Sequence, residues 1–182
     1  MKTESMAKFV LRLALTLLII TSVVAVLLAG VNKITAPAIE KLNAENTQKA
    51  IEAVLPGGGE LMEDFPETAL VSKVYASETG YAVEVTPGGF DNTITMMVGI
   101  SKDGTVLGID VVSHTETAGL GAVADAGTPA GIAFREQFIG TSGSVSVTKD
   151  GGELDAITGA TITSRAICAG VNAALECVAK MG

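Results

Sequence analysis

Residues 93–113 read TITMMVGISKDGTVLGIDVVS. Two segments rich in apolar and β-branched residues, 93–101 and 106–113, flank the turn-forming Lys102-Asp103-Gly104. That pattern predicts a β-hairpin. Just upstream, 70–77 and 81–86 carry further strand signals joined by Glu78-Thr79-Gly80, and Pro87-Gly88-Gly89 ends the second. Residues 60–67 are acidic and read as a loop. Ile39, Leu42, Ala50, Ile51, Val54 and Leu55 recur at helical spacing. They predict an amphipathic helix over 38–55, begun at Pro37, preceded by a connector at 32–37 and stopped by Pro56-Gly57-Gly58-Gly59. Downstream, 118–131 is rich in glycine and alanine without a clear period. Residues 132–139 read as a short helix, and 145–148 as a further strand closed by Asp150-Gly151-Gly152. A helix over 166–181 places Ile167, Val171, Ala174, Leu175 and Val178 on one face. Strands flanked by helices at both ends make this an α+β fold with a mainly antiparallel sheet.

The chain has 182 residues, 48% hydrophobic and 4% aromatic, with mean hydropathy +0.46. The apolar residues are concentrated at 13–31, a run without charge. At ~1.5 Å per residue it reaches ~28 Å, about the hydrocarbon thickness of a bilayer. It therefore predicts a single transmembrane helix. No second run of that kind occurs, which excludes a multi-span transporter. A cleavable signal peptide has a shorter apolar core and small residues before its cleavage site, whereas Leu27 and Leu28 stand here, so an uncleaved anchor is the better reading. About 150 residues remain, enough for one domain. The prevalence of Val, Ile, Leu, Ala and Gly argues against disorder, and two cysteines exclude a disulfide scaffold.

Charge divides the same way. Lys2, Lys8 and Arg12 precede the run against Glu4 alone, while beyond Val31 9 Lys/Arg stand against 19 Asp/Glu, a net of −10. The positive-inside rule puts the N-terminus in the cytoplasm and the domain outside the cytoplasmic (inner) membrane. An acidic domain of this kind does not hold nucleic acid through phosphates. The expected organisation is a cytoplasmic segment at 1–12, an anchor at 13–31, a connector and amphipathic helix at 32–69, and an extracytoplasmic domain at 70–182.

The chemistry is sparse. His114 is the single histidine, and no HExxH, CxxC, Walker or GxSxG sequence occurs, so neither a metal cluster nor a serine hydrolase is indicated. Cys168 and Cys177, nine residues apart on one predicted helix, face opposite ways and read as small buried residues rather than a disulfide. Asp155-Ala156-Ile157-Thr158-Gly159-Ala160-Thr161-Ile162-Thr163-Ser164 is different, because it packs hydroxyls and a carboxylate against the start of the last helix. Helix N-termini present unpaired N–H groups and partial positive charge, and Gly159 and Ala160 permit close approach, which suits a phosphate. Taken alone, the segment reads better as a plain cap by Thr163 or Ser164, since most Thr/Ser clusters before helices are caps.

Asp155, Thr158, Gly159, Ala160 and Thr161 match the Asp-x-x-(Ser/Thr)-Gly-Ala-Thr flavinylation motif of FMN-binding domains. The chain thereby resembles the G-subunit family of Rnf complexes and, more distantly, the C subunits of Na⁺-pumping NADH:quinone reductases. Ser113-His114-Thr115-Glu116-Thr117-Ala118-Gly119-Leu120-Gly121 resembles that family's SHxETPGLG segment, with Ala118 for the usual proline. Phe134-x-x-x-Phe138-Ile139-Gly140 and Lys149-Asp150-Gly151-Gly152 match in order, and length and anchor fit the Rnf family better.

The resemblance implies FMN joined to Thr161 by a phosphoester bond, made by a flavin transferase that uses FAD. It also implies an electron relay without substrate turnover of its own, in a complex that passes electrons between ferredoxin and NAD and couples this to Na⁺ or H⁺ transport. The other subunits of the complex, above all its flavinylated D subunit, are the implied partners. Glu116 and Thr117 would bond the flavin ring and Leu120 pack on it, or all three are solvated loop residues. The helix start at Thr163–Ser164 would receive the phosphate. His114 is a proton relay or a hydrogen-bonded structural histidine. Asp155 is read by the transferase or fixes its own turn, and Arg165 pairs with the phosphate or faces solvent. A stand-alone anchored flavoprotein and a non-catalytic exported binding module are the alternative functions. A threonine-nucleophile hydrolase fails for want of a base near Thr161.

Overall fold

The computed structural model describes residues 6–181. Lys2 and Glu4 of the expected cytoplasmic segment lie outside the described residues. The chain divides into two units, one ending at Leu42 and the other beginning at Asn43.

The first unit is helical. It belongs to α1, Met6–Val54, whose last turns lie in the second unit. Leu13, Leu17, Ile20, Val24 and Leu28 are all exposed, as are the large apolar side chains on the helix's other sides. A helix apolar on every side suits a lipid environment. Two of its hydroxyls bond back within the helix: Thr16 donates to the Arg12 carbonyl at 2.8 Å and Thr21 to Leu17 at 2.9 Å. The expected connector at 32–37 is not there, because α1 runs unbroken through Pro37. Proline removes one N–H, and the carbonyl it orphans, on Lys33, sits on an exposed turn that water can reach. Thr35 bonds back to the Val31 carbonyl at 3.0 Å and keeps that turn helical.

The second unit is built on a five-stranded antiparallel meander: β1 (Glu60–Leu61), β2 (Val71–Ala76), β3 (Gly80–Val85), β4 (Thr95–Ser101) and β5 (Val106–Ser113), in sequential order. The two-residue β1 lies where a loop was expected. It forms because Glu60 and Leu61 find Ala76 and Tyr75 on the edge of β2. The predicted hairpin is β4–β5, with Met97 opposite Asp110 and Val98 opposite Ile109.

Both faces of the central strands are buried, so their sequence is nearly continuously apolar. One face presents Val83, Val85, Met96, Val98 and Ile100 to α3 (Thr161–Met181), which answers with Ile167, Val171, Ala174 and Val178. The opposite face presents Ala82 and Met97 to Ala50, Ile51, Val54 and Leu55 at the end of α1. Burial of each such Leu, Ile or Val contributes roughly 1.5–3 kcal/mol. Gly99 is what lets α1 close on the sheet, because a Cβ there would lie 2.2 Å from the Val54 carbonyl oxygen.

α2 spans Pro129–Glu136 and starts earlier than the expected 132–139. Thr128 caps it by accepting from the Gly131 N–H at 3.3 Å, and Pro129 opens the first turn. Phe134 and Phe138 beyond it pack edge to face at 5.5 Å. The expected strand at 145–148 does not form. The Asn172 side chain takes the place of a strand partner, accepting from Val145 N–H at 2.7 Å and donating to its carbonyl at 2.9 Å. Only a single parallel bridge, Val147 to Leu154, remains, followed by a 3₁₀ turn at Thr148–Asp150.

Cys168 and Cys177 are buried free thiols on α3, as expected. Cys177 donates to the Pro66 carbonyl at 3.7 Å. Burial pushes the Cys168 thiol up to about 11, and the Cys177 thiol up as well. The reactive thiolate is therefore scarce in the folded domain. At pH 8 a thiol reagent is expected to label neither cysteine until denaturant unfolds the domain. Rapid labelling of the native protein would contradict the packing.

Candidate functional site

Helix α3 begins at Thr161, five residues before the expected start. Thr163 and Ser164 therefore cap nothing. They lie inside the first turns with their hydroxyls pointing inward, and both are buried. Ser164 Oγ accepts from the Ile157 N–H and donates to the Ala160 carbonyl, both at 3.0 Å. This staples the preceding loop to the helix. Gly159 makes the turn with φ +79, and a Cβ there would come within 3.0 Å of Leu120. Thr161 is left half-buried at the first helical position, where backbone N–H groups have no partner within the helix.

Thr163 reaches across to the segment after β5. Its Oγ1 donates to Glu116 Oε2 at 2.5 Å. Glu116 is 8% exposed, and its other oxygen accepts from the Phe90 N–H at 2.8 Å and, more weakly, from Asp91 at 3.4 Å. One buried carboxylate thus ties together the 90s loop, the segment after β5 and the start of α3. Two glycines leave it room, since a Cβ on Gly89 or Gly121 would stand 2.2 or 2.3 Å from its oxygens.

The result is a cleft of about 240 Å³. Glu116, Thr117 and Leu120 line one side, and Gly159, Ala160 and Thr161 the other. The two segments singled out in the sequence therefore meet. Phe90, Ile162 and Leu120 give the cleft an apolar rim, each of them exposed. Among the described lining residues Lys149 is the only cation and Glu116 the only acid.

The remaining expected residues stand outside this cleft. Asp155 and Thr158 line a separate groove beside Phe134 and Gln137, and Asp155 N–H is held by Gln137 Oε1 at 2.7 Å. Ser164 is packed beneath the helix start. His114 Nδ1 accepts from the Glu116 N–H at 3.1 Å, and its Nε2 lies 3.7 Å from Asp125. Arg165 forks onto Asp150 with two contacts of 2.6 Å. Phe90, Gly121 and Lys149 were not singled out as site residues. Lys149 had a signal, the Lys-Asp-Gly-Gly stretch, but nothing in its spacing tells which atom the side chain reaches.

The Arg165 guanidinium holds the Asp150 carboxyl below its ordinary value of 3.8. A lowered carboxyl stabilises the fold above that ordinary value and loses its contribution as pH falls through the lowered one. Asp150→Asn is therefore expected to lower the urea midpoint slightly at pH 7, with the gap closing under more acid conditions. The effect is small because the pair is solvent-exposed. A gap that persists unchanged in acid would contradict the assignment.

Residues 89–176 match the family model of the FMN-binding domain. The chain is 33% identical to the G subunit of the Na(+)-translocating ferredoxin:NAD(+) oxidoreductase complex of Acetobacterium woodii, over 93% of this chain and 91% of that protein. It is 34% identical to the G subunit of the ion-translocating oxidoreductase complex of Methanosarcina acetivorans, over 94% of this chain and 96% of that one. The chain belongs to this G-subunit family. The corresponding protein of Vibrio cholerae matches over a shorter stretch, at 37% identity across 62% of this chain. The family match includes both walls of the cleft, from Phe90 to Thr163, while the near full-length matches extend across the N-terminal helix.

Proposed function

We propose that the chain is an electron-transfer subunit of a membrane-bound Rnf-type complex, carrying FMN on Thr161 through a phosphoester bond. The observation that supports this best is the convergence of the 116–120 and 159–161 segments on one cleft. FMN joins a flat, largely apolar ring to an anionic phosphate. The residues present suit both parts. Phe90, Leu120 and Ile162 offer apolar surface, Glu116 and Thr117 polar contacts, and Thr161 a hydroxyl at a helix N-terminus. FMN, when bound, supplies the acceptance and donation of electrons, while the protein supplies tethering, orientation and exclusion of water.

Attachment is a phosphoryl-type transfer without redox change. Thr161 Oγ forms a bond to the FAD phosphorus on the riboflavin side, the bond from that phosphorus to the AMP moiety breaks, and AMP leaves. The hydroxyl proton passes to a base of the flavin transferase. Covalent attachment suits a domain outside the cytoplasm, where a lost flavin is not replaced.

In this reading α1 spans the cytoplasmic membrane with Lys8 and Arg12 on the cytoplasmic side and the domain beyond it. The tether keeps the domain near the other subunits, with the D subunit as its direct partner, by raising effective concentration. The complex moves electrons between ferredoxin and NAD and couples this to Na⁺ or H⁺ transport.

Membranes from a strain lacking this protein test the proposal. Wild-type chain is expected to restore ferredoxin-dependent NAD reduction and Thr161→Val is not. Equal restoration by both would sink it.

A further inference from the structure

Lys149 sits on the 3₁₀ turn at Thr148–Asp150, and its Nζ donates to Thr161 Oγ1 at 3.0 Å. Among the described residues it has no carboxylate within 4.0 Å. The nearby acids are already engaged: Asp150 is gripped by Arg165, and Glu116 by Thr163 and Phe90. The cation is thus set against a neutral hydroxyl in no direct ion pair, although Asp150, already gripped by Arg165, lies near enough to feel its charge. Arg165, the other cation flanking the motif, is diverted by its fork onto Asp150. A cation held at a hydroxyl oxygen, with the adjacent acid already engaged by Arg165, is suited to an anion that forms at that oxygen.

We infer that Lys149 stabilises the esterification of Thr161 and then serves as the counter-charge of the resulting diester. This rests on the reading of Thr161 as the attachment site. The ammonium occupies one lone pair of Thr161 Oγ and leaves another free for phosphorus. As the hydroxyl proton departs, the ammonium offsets the negative charge that builds on the oxygen. It does not take that proton, because an ammonium has no acceptor. In the product the phosphodiester keeps one negative charge within reach of the same side chain.

The test uses the full-length chain in detergent with purified flavin transferase and FAD, reading the initial rate of fluorescent band formation. The variants are Lys149→Met, Lys149→Arg and Thr161→Val. Lys149→Met keeps the length of the side chain and removes its charge. It is expected to slow labelling about ten- to a hundredfold, the range for loss of a hydrogen bond to a charged group. Lys149→Arg, which keeps the charge, is expected to recover most of the rate. In protein already labelled, Lys149→Met is also expected to shift the ³¹P resonance of the diester. Wild-type rates in Lys149→Met, or equal slowing in Lys149→Met and Lys149→Arg, overturn the inference, the second because the role would then be shape rather than charge. Labelling of Thr161→Val, by contrast, overturns the attachment reading itself.

Discussion

Thr161→Val, produced together with the flavin transferase, is expected to carry no covalent flavin. The loss should be complete rather than graded, because valine keeps the shape of threonine and removes the one oxygen through which an ester could form. Neighbouring hydroxyls do not substitute. Ser164 Oγ is buried and engaged with Ile157 and Ala160, and Thr163 Oγ1 is buried against Glu116. Thr158 opens into the separate groove beside Phe134. The fold should survive, since Thr161 is only half-buried and its side-chain partner, Lys149, is exposed. Changes at such positions usually stay within about 0.5 kcal/mol. Thr161→Ser keeps the nucleophile and is expected to remain labelled. In-gel flavin fluorescence separates the three proteins directly.

Glu116→Ala is expected to destabilise the domain by about 2–3 kcal/mol, read from the shift of the urea midpoint. The substitution leaves the Thr163 hydroxyl, 1% exposed, without its acceptor and removes the acceptor of the Phe90 N–H. It also empties the space that Gly89 and Gly121 reserve for the carboxylate. Glu116→Gln should cost less than half as much. Its amide oxygen can still accept from Phe90, and the Thr163 hydroxyl can turn to accept from the new NH₂ group. The contrast matters for the site, because Glu116 holds the wall bearing Phe90 to the wall bearing Thr161. If alanine and glutamine prove equally mild, Glu116 is not the tie between them.

The meander was legible because its strands alternate or carry β-branched runs and its turns are marked by Gly80 and Asp103-Gly104. Burial of β3 and β4 on both faces did not obscure it, since length and flanking turns still separate a buried strand from a helix. The start of α3 was not legible. Thr163 and Ser164 look like caps, yet their hydroxyls serve Glu116 and Ile157, partners that local sequence does not reveal. The segment at 145–148 carries strand residues, but a side chain from α3, Asn172, occupies its backbone groups. Pro37 reads as a boundary, and on an exposed helix it is not one.

The site was partly legible for a similar reason. The pairing of the Glu116 segment with the Thr161 segment came from motif resemblance, and the fold brings both to one cleft. Which motif residues face that cleft was a matter of geometry. Asp155, Thr158 and Arg165 do not, whereas Lys149, read only as part of a matching stretch, reaches Thr161 itself.

The most direct test is peptide mapping of the wild-type chain after production with a flavin transferase. Trypsin, cutting after Lys149 and Arg165, releases residues 150–165 as one peptide containing Thr158, Thr161, Thr163 and Ser164. This peptide is expected to gain the mass of FMN less water, with fragmentation placing it on Thr161. An unmodified peptide, or flavin on any other residue, would contradict the attachment reading.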